Sequence, residues 1–190
     1  MSTLKVNSIR HTNNKRLLDN TGNVVQVIHA RTDARSSWSS NNRYIFTPIT
    51  SLNITITPKH PNNLIVVQVE LFCEVHHDNV MTILRDYGRT RNLGYGQVEN
   101  RADNYNPRNQ GMIPGDYTGA DNSSTPRVYF MQGVWRADTF SQVRFTPGVR
   151  SAGGQNHTLR LNRTLGSGNN GQNSYEIGYS SMIAYEITAA

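Results

Sequence analysis

The chain has 190 residues, of which 36% are hydrophobic and 17% charged, with a mean hydropathy of −0.59. That is enough for one domain with a real core, because a chain near this size buries roughly 70% of the surface it exposes when unfolded. The single cysteine, Cys73, excludes an intramolecular disulfide scaffold, and no stretch approaches the ~20 apolar residues of a membrane-spanning helix.

The formal charge of +6 rests on arginines spread singly from Arg10 to Arg163. Nucleic-acid tails carry runs of Lys and Arg instead, whereas arginine's planar fork suits ordered contacts with carboxylates, carbonyls and phosphates. Contacts between subunits or with an anionic glycan are therefore expected, and nucleic acid is not.

Lys5, Arg10, His11, Lys15, Arg16 and Asp19 interrupt the N-terminal region, so no secretory leader is expected. Leu4, Val6 and Ile9 form one short apolar segment, and residues 24–28 (Val24, Val25, Val27 and Ile28 among them) form another. Asn13-Asn14 and Asn20-Thr21-Gly22-Asn23 supply turns between them. A hairpin this small is marginal alone in water and must pack on the main domain or on another protein. Residues 1–35 are therefore read as a separate N-terminal segment and residues 36–190 as the main domain, with the Ser/Asn stretch 36–42 as a linker or first loop.

No window repeats apolar residues at helical spacing, while period-two alternation recurs throughout. Leu52, Ile54 and Ile56 alternate before Pro58, which ends that strand because it cannot donate to a ladder. From residue 64 to 75, Ile65, Val67, Val69, Leu71, Cys73 and Val75 share one face, and Val66, Gln68, Glu70, Phe72 and Glu74 the other. This predicts a long half-buried strand. A short strand follows at 81–84. Residues 127–135 place Val128, Phe130 and Val134 opposite Tyr129, Met131 and Trp135. Residues 140–145 lead into Pro147-Gly148, a turn signal. Leu159, Leu161 and Leu165 alternate with polar neighbours, and Tyr179, Ser181, Ile183, Tyr185 and Ile187 mark the last strand. About eight strands with turn punctuation predict an all-β antiparallel sandwich of jelly-roll type.

Motifs that suggest chemistry fail on context. Gly166-Ser-Gly168-Asn-Asn-Gly171 matches a dinucleotide fingerprint in letters, but it lacks the following helix that would meet a pyrophosphate. It reads as a loop. His76 and His77 are neighbours on an extended segment and point to opposite sides, so His76-His77-Asp78 reads as a strand-end turn and no metal site is expected. There is no Gly-x-Ser-x-Gly elbow, and Cys73 falls on an apolar strand face, so no nucleophile is expected. Paired carboxylates cannot be sought by spacing, because their pairing is spatial. The Asn-x-Ser/Thr triplets at Asn53, Asn122, Asn156 and Asn162 follow from the Asn-rich composition. No enzyme activity and no cofactor is expected.

One region has functional promise. Between residues 86 and 126, Tyr87, Tyr95, Tyr105 and Tyr117 are interleaved with Arg89, Arg91, Arg101 and Arg108. Loops this long are uncommon in compact domains and are usually functional or flexible. Tyrosine rings stack on sugar faces and arginine grips anions, yet both residue types are also enriched between subunits. The loop is read first as a subunit interface and second as a glycan contact.

The opening Met1-Ser-Thr-Leu-Lys-Val-Asn-Ser-Ile9 resembles the start of tail-fibre and related virion proteins of tailed phages, especially those of cyanobacteria and marine bacteria. The main domain is similar to a jelly-roll-like module of such proteins. Its ordered signals are Ile54-Thr-Ile-Thr-Pro58, Asn63-Leu-Ile-Val-Val67, Ile83-Leu-Arg-Asp86, Leu161-Asn-Arg163 and Ser181-Met-Ile-Ala-Tyr-Glu-Ile187. The resemblance implies a virion protein, made in the host cytoplasm and assembled as a homotrimer. Its N-terminal segment, with Leu4, Val6, Ile9, Val24, Val25, Val27 and Ile28, would dock on other tail, baseplate or capsid proteins. Its β-domain would face outward, towards a host glycan or a neighbouring subunit. The long shaft usual between anchor and head is missing here, which implies a short fibre or a built-in component.

Overall fold

The structure, a computed structural model, describes residues 9–10, 16–18, 22–40, 46–75, 78–86, 111–115, 126–151, 157–164 and 176–189. These form strands and no helix, and every ladder is antiparallel. Among the described residues, the N-terminal β1 (Ile9–Arg10) pairs with β2 (Arg16–Leu18) in a sheet of two strands. The remaining strands make two sheets packed face to face as a β-sandwich.

The first sheet is organised around β7 (Leu64–Val75). Its length of twelve residues lets β7 take two partners in line on one side: β13 (Ser180–Ile187) beside Leu64–Glu70, and β12 (His157–Leu161) beside Cys73–Val75. Beyond these lie β3 (Val24–Thr32), paired with β13, and β4 (Ser36–Ser40), paired with β12. On the other side of β7 runs β10 (Arg127–Arg136), in register from Arg136↔Leu64 to Arg127↔Cys73. In the second sheet β11 (Val143–Ser151) pairs on one side with β6 (Ile54–Ile56) and β5 (Thr47–Pro48). On the other side it pairs with β8 (Asn79–Asp86), which also takes β9 (Ile113–Pro114).

The alternation of β7 decides its orientation. Ile65, Val67, Val69, Leu71, Cys73 and Val75 face the second sheet and are buried, as the sequence pattern requires. From β10, Tyr129, Met131 and Trp135 join them, and the Trp135 ring packs on Phe145 of β11 with centroids 5.1 Å apart. Ile54, Ile56, Met81, Ile83, Val143 and Val149 complete the core from the second sheet. The outer side of that sheet is also covered, for Val80 and Leu84 form a separate buried cluster with Phe46.

Four sequence expectations change. Pro147-Gly148 is no turn: both residues lie inside β11, opposite Ile83 and Thr82. Beside Pro147, β11 passes between its two short partners β6 and β5, and there Pro147 needs only to accept, which its carbonyl does from the Ile49 amide at 2.7 Å. The missing proline N–H costs no ladder bond. Gly148 fits because a Cβ there would come 2.8 Å from Leu84 Cδ1. Second, β11 starts at Val143 rather than at 140, because a turn precedes it: Asp138 has φ 59° and the Ser141 amide donates to Thr139 Oγ1 at 2.9 Å. Third, the serine-rich 36–40 stretch is a strand. Trp38 packs towards the core, while outward Ser37 and Ser39 bind Arg160, Arg163 and Thr158.

The fourth change concerns residues 24–32. They form β3, hydrogen-bonded along β13 from Val24↔Ile187 to Thr32↔Ser180. This strand is part of the sandwich, the first of the two supports considered for it.

Two polar ties hold this sheet. Asn162, at φ 56°, donates from Nδ2 to the Thr32 and Ala34 carbonyls at 3.0 and 3.1 Å and accepts from Ser180 Oγ at 2.7 Å. It joins the four strands where β3 gives way to β4 and β12 abuts β13. Asparagine tolerates the left-handed conformation better than most residues. Glu186, fully buried, ties β13 to the 57–63 segment. Its Oε1 accepts from the Lys59 and His60 amides at 2.8 and 3.2 Å and from Asn63 Nδ2 at 2.6 Å, and its Oε2 accepts from Gln26 Nε2. Burial alone would push its pKa up; these hydrogen bonds outweigh that and hold it below the ordinary carboxylate range.

Candidate functional site

Because odd-numbered residues of β7 face the core, even-numbered residues face outward, and the registers align them with outward residues of three neighbours. Across the strand order β3-β13-β7-β10 the outer face is a set of rows. One row is Val27, Tyr185, Val66 and Val134, apolar apart from one phenol hydroxyl. The next is His29, Ile183, Gln68 and Gln132, in which Gln68 Nε2 donates to Gln132 Oε1 at 2.9 Å. The third is Arg31, Ser181, Glu70 and Phe130, where Ser181 Oγ stands 3.5 Å from Glu70 Oε2. Residues in one row have Cβ atoms about 4.5–5.5 Å apart, so each row is a continuous strip.

This face is open. Val27 is 51% exposed, Val128 62%, Phe130 50% and Val134 48%. Val24 and Val25 are exposed beside them, where a register shift leaves Val25 without a partner across from β13. Single exposed apolar residues are ordinary, but contiguous strips of them mark interaction surfaces. The upper margin carries Tyr179, itself exposed, with the Arg31 guanidinium 3.8 Å above its ring centroid. Where β12 and β4 extend the sheet the face becomes polar, with Arg160 and Arg163 both donating to Ser37 Oγ at 2.7 Å.

A dent of about 200 Å³ on the face is lined by His29, Gln68, Glu70, Phe130, Ser181 and Ile183. Ligand pockets usually enclose about 300–1,000 Å³, so this dent is smaller than an ordinary ligand pocket. Among the described residues no three His, Cys, Asp or Glu side chains gather to hold a metal ion. Cys73 is buried and free, and burial followed by the nearby Glu74 charge drives its thiol pKa far above the ordinary value. It is therefore not a poised thiolate.

Of the residues expected to dock, the structure places Val24, Val25 and Val27 on this outer face and turns Ile28 towards the core. Ile9 lies on β1. Leu4 and Val6 lie outside the described residues, as do Tyr87, Arg89, Arg91, Tyr95, Arg101, Tyr105, Arg108 and Tyr117, and also His76, His77, Leu165 and the Gly166–Gly171 motif. The face residues Val66, Phe130, Val134, Ile183 and Tyr185 were not expected to act together. Their signal is nonetheless present: the 127–135 segment is apolar on both faces, and a sandwich core can cover only one.

No protein-family model matches the chain, and no curated protein matches its sequence.

Proposed function

We propose that the chain is a non-enzymatic structural subunit of a tailed-phage particle: a short, homotrimeric tail-fibre-type protein that takes part in host attachment. The carrying observation is the outer face of the β3-β13-β7-β10 sheet, where Val27, Val128, Phe130 and Val134 stay about half-exposed or more outside a packed core. A surface of this kind suits a protein that works by assembly. The all-β sandwich and the resemblance of the opening residues to virion proteins support the same reading. The jelly-roll module is the outward head, and attachment to other virion proteins runs through the chain preceding β3. Symmetric copies make weak individual contacts with a host glycan strong through avidity.

The test is gold labelling of purified particles with an antibody raised against the sandwich, together with the mass of the free protein. The expected result is label at the tail and a mass three times the 21.4 kDa of one chain. Absence of the protein from purified particles overturns the virion assignment. Label on the head shell replaces the fibre with a capsid component.

A further inference from the structure

We infer that the outer face of the β3-β13-β7-β10 sheet is where copies of this chain meet, around a symmetry axis running parallel to its strands. This deepens the oligomeric reading above and rests on it.

Three observations lead there. The first is extent. Four strands spaced ~4.8 Å and about eight residues rising ~3.3 Å each give a face of roughly 500 Å², so two apposed faces bury on the order of 1,000 Å². That reaches the size at which specific interfaces begin.

The second is row order. Rotation about an axis parallel to the strands leaves height along the strand unchanged, so each row meets the same row of the next copy. The sheet order puts β3 at one margin and β10 at the other. Such a rotation therefore sets β3 of one copy against β10 of the next. Val27 then meets Val134, and the apolar row closes on itself. Phe130, at the β10 margin, meets Arg31, which already stacks on an aromatic ring within its own chain.

The third is charge. The row that holds Arg31 also holds Glu70, two strands away. The same rotation brings the Arg31 of one copy within one strand spacing of the Glu70 of the next and holds the arginines of neighbouring copies about three strand spacings apart. A face made for an unrelated partner has no reason to match itself in both the Val27 row and the Arg31 row. The rule holds for two copies or three, so the face does not fix their number, and the mass of the assembly does.

Paired cysteines test the arrangement. V27C with V134C joins positions of one row across two copies, whereas V27C with V128C joins rows about 20 Å apart. The native Cys73 is buried and does not interfere. Under mild oxidation the full-length V27C/V134C chain is expected to give interchain disulfides in most molecules, and V27C/V128C few or none. Charge reversal gives a second readout: R31E and E70R should each weaken assembly at least tenfold, and R31E/E70R together should recover most of it. If the wild type assembles but neither cysteine pair cross-links, the face assignment is overturned while the oligomeric reading stands. Equal cross-linking by both pairs overturns the parallel axis. A wild-type protein that stays monomeric at tens of micromolar overturns the oligomeric reading itself.

Discussion

Replacing Glu186 by alanine removes the acceptor for four donors: the Lys59 and His60 amides, Asn63 Nδ2 and Gln26 Nε2. A hydrogen bond to a charged group contributes about 1.5–3 kcal/mol. Lys59 and His60 are exposed, however, so water can replace their share. The buried Asn63 loses most, and the expected cost is about 3 kcal/mol, which lowers Tm by roughly 6–12 °C for a chain of this size. Glu186→Gln keeps the shape and one carbonyl but turns an amide towards the Gln26 donor, and should cost about 1–2 kcal/mol.

The pH dependence has a definite sign. The folded pKa of Glu186 lies below its unfolded value, so its stabilisation is fully present above the ordinary carboxylate range and is lost as pH falls through the folded pKa. Urea unfolding at matched protein concentration should therefore show the gap between wild type and Glu186→Gln narrowing as pH drops from 6 towards 3. A gap that stays constant over this range, or a Glu186→Ala loss under about 1 kcal/mol, would refute the cradle as a stabilising tie.

Three further perturbations address the fold. Asn162→Ala removes the donors to the Thr32 and Ala34 carbonyls and the acceptor for Ser180, and it strains the left-handed backbone. Chemical denaturation should show a loss of about 2–3 kcal/mol. Gly148→Ala drives a methyl into Leu84 and should cost about 1–3 kcal/mol, with Leu84→Val in the same chain recovering part of it; no recovery would place the strain elsewhere. Cys73 should react with an aromatic disulfide reagent only at the rate of unfolding, so prompt labelling in native buffer would contradict its burial.

The sequence is most legible where one face of a strand is apolar and the other is not. The face assignment of β7 follows from its alternation alone, because a one-residue slip would exchange core and solvent faces. Strands β10 and β13 are harder. Both are apolar on two faces, so the pattern predicts the strand but leaves open which side is the core. In β13 the core set is Met182 and Ala184, and the larger Ile183, Tyr185 and Ile187 lie on the outer side. The surplus apolar residues are the sequence signal behind the proposed interface, since the sandwich core covers only one face of each strand. Pro147-Gly148 misleads because turn chemistry is local, whereas the gap that accommodates it is made by two other strands. Ser36–Ser40 misleads for a related reason. Its serines carry no hydrophobic pattern, and its strand character comes from pairing with β12. Glu186 occupies a core-facing position of an apolar strand, a conflict visible in sequence, but its donors come from residues 26 and 59–63 and only the fold brings them together.

The claim that copies meet through the outer sheet face is tested most directly by light scattering on the wild type and V134D at equal concentration. Val134 is half-exposed on the β10 edge, so a carboxylate there leaves one chain's core intact. In the assembled row it would be buried against Val27 without a partner, at a cost of several kcal/mol. The prediction is a wild type at a whole multiple of 21.4 kDa and V134D at 21.4 kDa with an unchanged β-sheet circular dichroism spectrum. V134D holding the wild-type assembled mass would contradict the account.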